Sequence, residues 1–205
     1  MAFQMKLNED NKQEAFIINN KFINVQFINP GILRGAKPGG KGFKVFFINN
    51  YFEKLINVRE ASTAVSFQAE EITIDNITIK DSEIASFASF QSQRSIIKNI
   101  KFVNISRMNQ NLAPGLSHAF LIWTLSQNSI MSSISFQNCA FSLSRAINIL
   151  QSSNITMVDL QIINSIANNN NLVHISLSKD LNFENVAIYN ISKSSPGMVA
   201  LFNVF

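Results

Sequence analysis

Apolar and polar residues alternate along most of the chain, and in five places the alternation is interrupted in the same way. The segments are 72–84 (ITIDNITIKDSEI), 96–106 (IIKNIKFVNIS), 130–141 (IMSSISFQNCAF), 155–166 (ITMVDLQIINSI) and 181–192 (LNFENVAIYNIS). Each follows the pattern φ-x-N-φ-x-φ-x-N, where φ is apolar. Asn76, Asn99, Ser133, Asp159 and Asn185 hold the first polar place, and Asp81, Asn104, Asn138, Asn164 and Asn190 hold the second. A period of two is the mark of a strand with one buried face. The one-step phase shift at the polar place fits a bend between two short strands, where Asn tolerates left-handed backbone.

The first polar place recurs at 76, 99, 133, 159 and 185, in steps of 23, 34, 26 and 26 residues. A repeat in the twenties is the signature of a solenoid coil. The long step holds an insertion at 106–118 (SRMNQNLAPGLSH), a polar stretch with Pro114 and Gly115 that breaks the alternation. A second strand precedes each motif, at 65–71, 89–95, 123–129, 148–154 and 174–180, and ends on an apolar residue before a polar run. Those residues are Phe67, Phe90, Leu125, Leu150 and Leu177, in steps of 23, 35, 25 and 27. MVALFNV at 198–204 begins the same strand of a further coil.

The N-terminal part fits more loosely. FINVQFIN at 22–29 matches the motif, and Asn24 lies 52 residues, two periods of 26, before Asn76. The coil between them is expected over 43–58. Residues 30–42 (PGILRGAKPGGKG) read as a Gly-rich excursion and residues 1–15 as a polar tail or cap.

The expected fold is all-β, a parallel β-helix of about seven coils over 16–205, with excursions at 30–42 and 106–118. A coil of this length holds three short strands and three turns, buries one apolar row and offers its edges to the next coil. A β-propeller needs roughly 40 residues per blade. Leucine-rich repeats share the period but place Leu at fixed positions, where Ile and Phe dominate here. A β-sandwich does not explain the period. Amides at one turn of successive coils would stack about 4.8 Å apart and bond along the axis. The alternative is that these asparagines simply fill exposed turns. The pattern resembles right-handed parallel β-helices of the pectin-lyase-like type. It is also similar to repetitive β-helix regions of large ciliate surface or membrane proteins, which are likewise Asn-rich and low in charge. The resemblance covers about 64–205 well and 16–58 loosely.

Composition narrows the function classes without choosing one. The chain has 205 residues, of which 15% are charged and 46% hydrophobic; 27 are Asn and 29 are Ser or Thr. The dense β-branched and aromatic residues argue against disorder. A net charge of +4, with the basic residues scattered apart from Arg34, Lys37, Lys41 and Lys44, gives no nucleic-acid footprint. The single Cys139 excludes an internal disulfide and any zinc site built on clustered cysteines. No run reaches the roughly 18 apolar residues of a membrane span. The N-terminus lacks the apolar stretch of a signal peptide. The apolar C-terminal run reads as the edge of a piece of a longer protein, which slightly favours an extracellular or cell-surface setting. Membrane contact would come only through parts outside this chain.

Polysaccharide lyases and hydrolases of the resembled fold cluster carboxylates on one outer face, and a glycosidase needs two of them several ångströms apart. The carboxylates within regular coils are Asp75, Asp81, Glu83, Asp159, Asp180 and Glu184. Asp159 stands where other coils have Asn and reads as a turn residue. His118 and His174 are the two histidines, two coils apart, and Arg94 and Arg145 are the basic residues that could meet an acidic sugar. Cys139 reads as a small buried residue, with no base near it for nucleophilic chemistry. The glycines of 38–42 do not complete a G-x-x-x-x-G-K-[ST] loop. Asn-x-Ser/Thr sequons at Asn76, Asn104, Asn154 and Asn190 are about as many as this composition gives by itself. No catalytic residue, cofactor or metal site is assigned. The expected function is a non-catalytic structural or protein-binding segment of a larger surface or scaffold assembly, with protein partners at the solenoid ends and loops. A carbohydrate-binding or polysaccharide-degrading β-helix is the alternative.

Overall fold

The computed structural model describes residues 3–6, 13–27, 32–36, 42–57, 63–106, 119–141, 145–167, 172–193 and 202–204. They form one continuous parallel sheet wound into a β-solenoid. The first face stacks Phe3–Lys6, Leu33–Ala36, 65–68, 88–91, Ala119–Thr124, Arg145–Leu150, Val173–Ser176 and Phe202–Val204. The second stacks Gln13–Ile18, 43–48, 71–75, 94–98, 128–132, 154–158 and Lys179–Glu184. The third stacks Lys21–Ile23, 51–53, 78–80, 101–103, 135–137, 161–163 and 187–189. The second and third faces thus hold seven strand segments each, joined by six turns of the solenoid.

Every pairing is parallel, so inward residues stack on inward ones and outward on outward along the axis. The interior row of the third face is Phe22, Phe52, Ile79, Phe102, Phe136, Ile162 and Ile188. Phe22 stacks on Phe52 with ring centroids 4.7 Å apart, and Phe102 stacks on Phe136 at the same 4.7 Å. That distance is the spacing of neighbouring strands; parallel rings are what in-register winding imposes on an aromatic column.

Two corners bracket the third face, and both are left-handed in all seven coils. The first is Asn19, Asn49, Asn76, Asn99, Ser133, Asp159 and Asn185, with φ between 53° and 60°. The second is Asn24, Lys54, Asp81, Asn104, Asn138, Asn164 and Asn190, with φ between 48° and 55°. Short Asx side chains populate this region most readily among non-glycine residues, because they bond their own backbone. Asn24 therefore stacks with Lys54 and Asp81, one corner away from the column of Asn76 that the sequence spacing gave it. The first two steps are 30 and 27 residues, and a mean period of 26 aligned the wrong corners.

The corner between the first and second faces changes midway. Thr63–Glu83 and Ser86–Ser106 pass it as uninterrupted 21-residue strands. In later coils one residue is added, and Leu125, Gln151 and Leu177, then Asn128, Asn154 and Asp180, turn left-handed. This corrects the second sequence column. The interior residues in register are Phe67, Phe90, Trp123, Ile149 and Ile175. Leu125 and Leu177 are corner residues, 50% and 72% exposed. Leu150 faces outward opposite Thr124 and Ser176.

Within 30–42, Leu33–Ala36 is a strand of the first face; within 1–15, Phe3–Lys6 and the start of Gln13–Ile18 are strands of the first coil. Of the insertion expected at 106–118, residues 107–118, including His118, lie outside the described residues, as does most of 198–204.

Candidate functional site

Polar side chains fall into three axial systems, and their geometry decides what each can do. The outermost are amide ladders at the left-handed corners. Asn76 Nδ2 donates to Asn49 Oδ1 at 2.9 Å, Asn104 to Asp81 at 2.7 Å, Asn138 to Asn104 at 3.1 Å, Asn185 to Asp159 at 3.1 Å and Asn190 to Asn164 at 2.9 Å. The donor always belongs to the later coil. Asn99 departs from its column and donates to Asp75 at 2.8 Å. The expected stacking is thus made in pairs, Asn104 with Asn138 and Asn164 with Asn190, by asparagines that also fill exposed turns. The hydrogen bond from Asn104, with Lys80 alongside, holds the Asp81 carboxyl below its ordinary range.

The four sequons have the same origin. Asn76, Asn104, Asn154 and Asn190 are all exposed left-handed corners, each followed by an inward Ile and then a Thr or Ser. Each uses its Nδ2 in a ladder. The tripeptide is what a polar corner followed by an inward–outward strand start spells.

A second system is buried, and sequence reasoning missed it. Ser92, Ser126, Ser152 and Ser178 stack inside the third corner. The backbone N–H of Ser92 donates to Ser126 Oγ at 3.2 Å, that of Ser126 to Ser152 Oγ at 3.2 Å, and that of Ser152 to Ser178 Oγ at 3.0 Å. The hydroxyls of Ser126, Ser152 and Ser178 in turn donate to the carbonyl two residues back, as Ser152 does to Leu150 at 2.8 Å, whereas the Ser92 hydroxyl is buried without a partner. A turn carbonyl and a turn N–H that no strand partner reaches are both satisfied this way. Recurrent serines two or three residues after the last interior strand residue were the available signal.

Cys139 occupies the equivalent place past the second corner. Leu55 N–H donates to Ser82 Oγ at 3.0 Å, and Cys139 N–H donates to Ser165 Oγ at 3.1 Å. The Cys139 thiol points at the Gln137 carbonyl at 3.5 Å, as the serine hydroxyls do to theirs. It is buried, and desolvation pushes it up to about 12. The thiolate is the reactive species, so the native protein is expected to resist iodoacetamide at pH 8 and to react stoichiometrically once unfolded in urea. Mass spectrometry at matched times reads both states; modification in the absence of denaturant would count against this burial.

The third system is the ionic and apolar pattern on the outside of the second face. Glu14, Lys44, Glu71 and Arg94 are in register along the axis. Lys44 Nζ lies 2.8 Å from Glu71, Arg94 pairs with Glu71 and, at 3.6 Å, with Glu70, and Lys98 pairs with Asp75 at 3.2 Å. The Lys44 hydrogen bond lowers Glu71 and raises Lys44. Beside this row runs an apolar one: Phe16, Phe46, Thr73, Ile96 and Ile130. Phe16 is 61% exposed and stacks on Phe46 at 4.8 Å, and Ile96 and Ile130 are each 52% exposed.

Of the carboxylates singled out from the sequence, Asp75, Asp159, Asp180 and Glu184 share this side of the molecule, strung along the axis, while Asp81 and Glu83 lie at and just past the second corner. Asp75 and Glu184 are four coils apart in one column, about 19 Å at the strand spacing. Asp159 stands at the adjoining corner beneath Asn185. Asp75 is held by Lys98 and Asn99, and Glu184 accepts from Asn182 at 2.7 Å. Each is a partner in a ladder or pair. Among the described residues no group of three or more His, Cys, Asp or Glu side chains converges as metal ligands would.

Arg94 and Arg145 lie on different faces. Arg145 and His174 do come together, beside Asn148 on the outside of the first face. Burial lowers both basic groups, and the Arg145 charge lowers His174 further. Asn148 is fully buried at this outward-facing position, and neither its Oδ1 nor its Nδ2 finds a hydrogen-bond partner.

No protein-family model and no curated protein matches the chain. Among solved structures it is similar to the surface protein and adhesin PfbA of Streptococcus pneumoniae, at 12% identity and a TM-score of 0.30, over 92% of this chain and 63% of that one. The chain thus spans less than two thirds of the length of PfbA. A second similarity, at 8% identity and a TM-score of 0.16, is to QnrB1, a plasmid-mediated fluoroquinolone resistance protein, over 93% of this chain and 92% of that one.

Proposed function

We propose that the chain is a non-catalytic, protein-binding segment of a larger surface or scaffold assembly, working through the outside of its second face. The observation that carries this reading is the register of that face. Phe16 and Phe46, then beyond Thr73 Ile96 and Ile130, line one axial row, bordered by the alternating charges of Glu14, Lys44, Glu71 and Arg94. Exposed apolar side chains rimmed by charge are the composition of a contact surface. An extracellular or cell-surface setting belongs to the same proposal, as does the finer likeness to pectin-lyase-like and ciliate repeat proteins suggested by the Asn corners.

The alternative chemistry gives the test. The chain is incubated with pectate, other acidic polysaccharides and neutral glucans, and unsaturated products and reducing ends are measured. No release above a control carrying Asp75→Asn and Asp159→Asn is expected. Release that the control loses would replace this reading with a carbohydrate-active one.

A further inference from the structure

The outside of the second face carries three axial columns, and their order decides what flat surface they can meet. The first reads Glu14, Lys44, Glu71 and Arg94, alternating in sign from coil to coil. The middle one reads Phe16, Phe46, Thr73 and Ile96, with Ile130 beyond. The third reads Ile18, Ile48, Asp75 and Lys98. Phe16, Ile18 and Ile96 are exposed, and the Arg94 side chain is 60% exposed even while it pairs with Glu71. A column that alternates in sign over four coils is its own complement when reversed. Read backwards, it sets a positive charge against every negative one.

We propose that two copies of this chain associate face to face through this surface, about a two-fold axis parallel to the strands. The axis passes between the coil of Lys44 and the coil of Glu71. It reverses the direction of the solenoid and keeps each column over its own counterpart. Glu14 of each copy then meets Arg94 of the other, and Lys44 of each meets Glu71 of the other. In the middle column Phe16 lies over Ile96 and Phe46 over Thr73. In the third, Ile18 lies over the apolar stem of Lys98, and Lys98 keeps its pairing with Asp75 at 3.2 Å. Packed sheets hold their strands within about 30° of each other, which keeps these columns in reach. Four coils of five residues make a contact of about 19 Å by about 17 Å, small for specific association, so the dimer is reversible.

The charges choose this register. Moving the axis onto the coil of Lys44 opposes Glu14 to Glu71 and Lys44 to itself. Moving it onto the coil of Glu71 opposes Lys44 to Arg94 and Glu71 to itself. A two-fold along the solenoid axis stacks the apolar column on itself but sets Glu71 over Asp75 and Arg94 over Lys98. Like charges brought together at an interface disfavour each of these. Another protein would need the same alternation at the same strand spacing, which a second copy carries by construction. The patch is self-complementary, so it closes at two copies. It uses the sides of the coils and leaves both ends of the solenoid out of the contact.

The proposal rests on the reading of the second face as a protein contact and names its partner. The test is sedimentation velocity on the intact 205-residue chain and two charge inversions, Glu14→Arg and Arg94→Glu, over a range of concentration and salt. Both positions are exposed, so neither inversion disturbs the core. The unaltered chain is expected to show a monomer–dimer equilibrium that weakens as salt rises. Each variant alone opposes like charges twice and should dimerise roughly tenfold more weakly. Mixing the two variants pairs Arg at 14 with Glu at 94 and leaves the native Glu14–Arg94 pair on the other side, so the mixture should regain the affinity that each has lost. A monomer at every concentration, tighter association of Arg94→Glu, or a mixture that dimerises no better than its components would each overturn the proposal. A monomer that leaves every polysaccharide intact overturns the dimer alone; released sugar product overturns the contact reading beneath it.

Discussion

Replacing Phe102 with alanine is expected to destabilise the protein by about 3–5 kcal/mol, the range for truncating a fully buried aromatic ring. Phe102 is fully buried. Its ring stacks on Phe136 at 4.7 Å and meets Phe87 edge-on at 5.7 Å and Phe120 at 5.7 Å. It bridges the coils before and after the 106–118 insertion. In a solenoid each coil contacts only its neighbours; the surrounding strands are pinned in register and close only partly around the lost ring. Urea denaturation of the variant beside Phe16→Ala checks the claim. Phe16 has an equal side chain stacked on Phe46 but on the outside, and its truncation should cost less than about 1 kcal/mol. Comparable losses for the two would mean that the interior stack contributes no more than surface contact does.

The second large effect comes from a residue with no apolar bulk. Ser126→Ala is expected to cost about 1–3 kcal/mol. Ser126 is fully buried, and its Oγ is the acceptor for the Ser92 N–H. Alanine removes that acceptor and leaves a buried donor unsatisfied, while the Phe90 and Thr124 carbonyls lose the hydroxyl that approaches them at 3.4 and 3.3 Å. Ser126→Cys should recover part of the loss, since Cys139 already fills a serine place at the second corner. Native-state hydrogen exchange supplies a readout that packing alone would not move: the Ser92 amide should lose protection in Ser126→Ala more than its neighbours do. Unchanged exchange at Ser92 would show that the serine column is incidental.

The fold was legible from the sequence because its two strongest rules are local. Inward residues are apolar at nearly every second place, and the left-handed corners that bracket the third face are Asn, Asp or Ser at every position but Lys54; the recurrences of Asn104, Asn138, Asn164 and Asn190 expose both at once. What was misread follows from rules that are not local. Leu125 and Leu177 look like the ends of interior strands, yet one added residue turns them into exposed corners, and only pairing with Gln151 shows it. Asn24 was assigned to the wrong corner because both corners ask for the same residue. The serine column was hidden because serine is equally at home outside, and burial is decided by the curvature of the coil. Asp159, which reads from the sequence as a turn residue, stands at a left-handed corner and accepts from Asn185. The meeting of Arg145, Asn148 and His174 depends on winding across 29 residues and had no signal in the sequence.

The parallel register has a mechanical side. All the interstrand hydrogen bonds, and the amide and serine ladders with them, point along the solenoid axis. Tension along that axis therefore loads one junction's bonds in turn, like teeth of a zipper, while force across the axis is shared by every coil at once. A rod of this kind is stiff against bending and shear but yields stepwise to axial pulling, each step releasing one coil of 23 to 34 residues of chain.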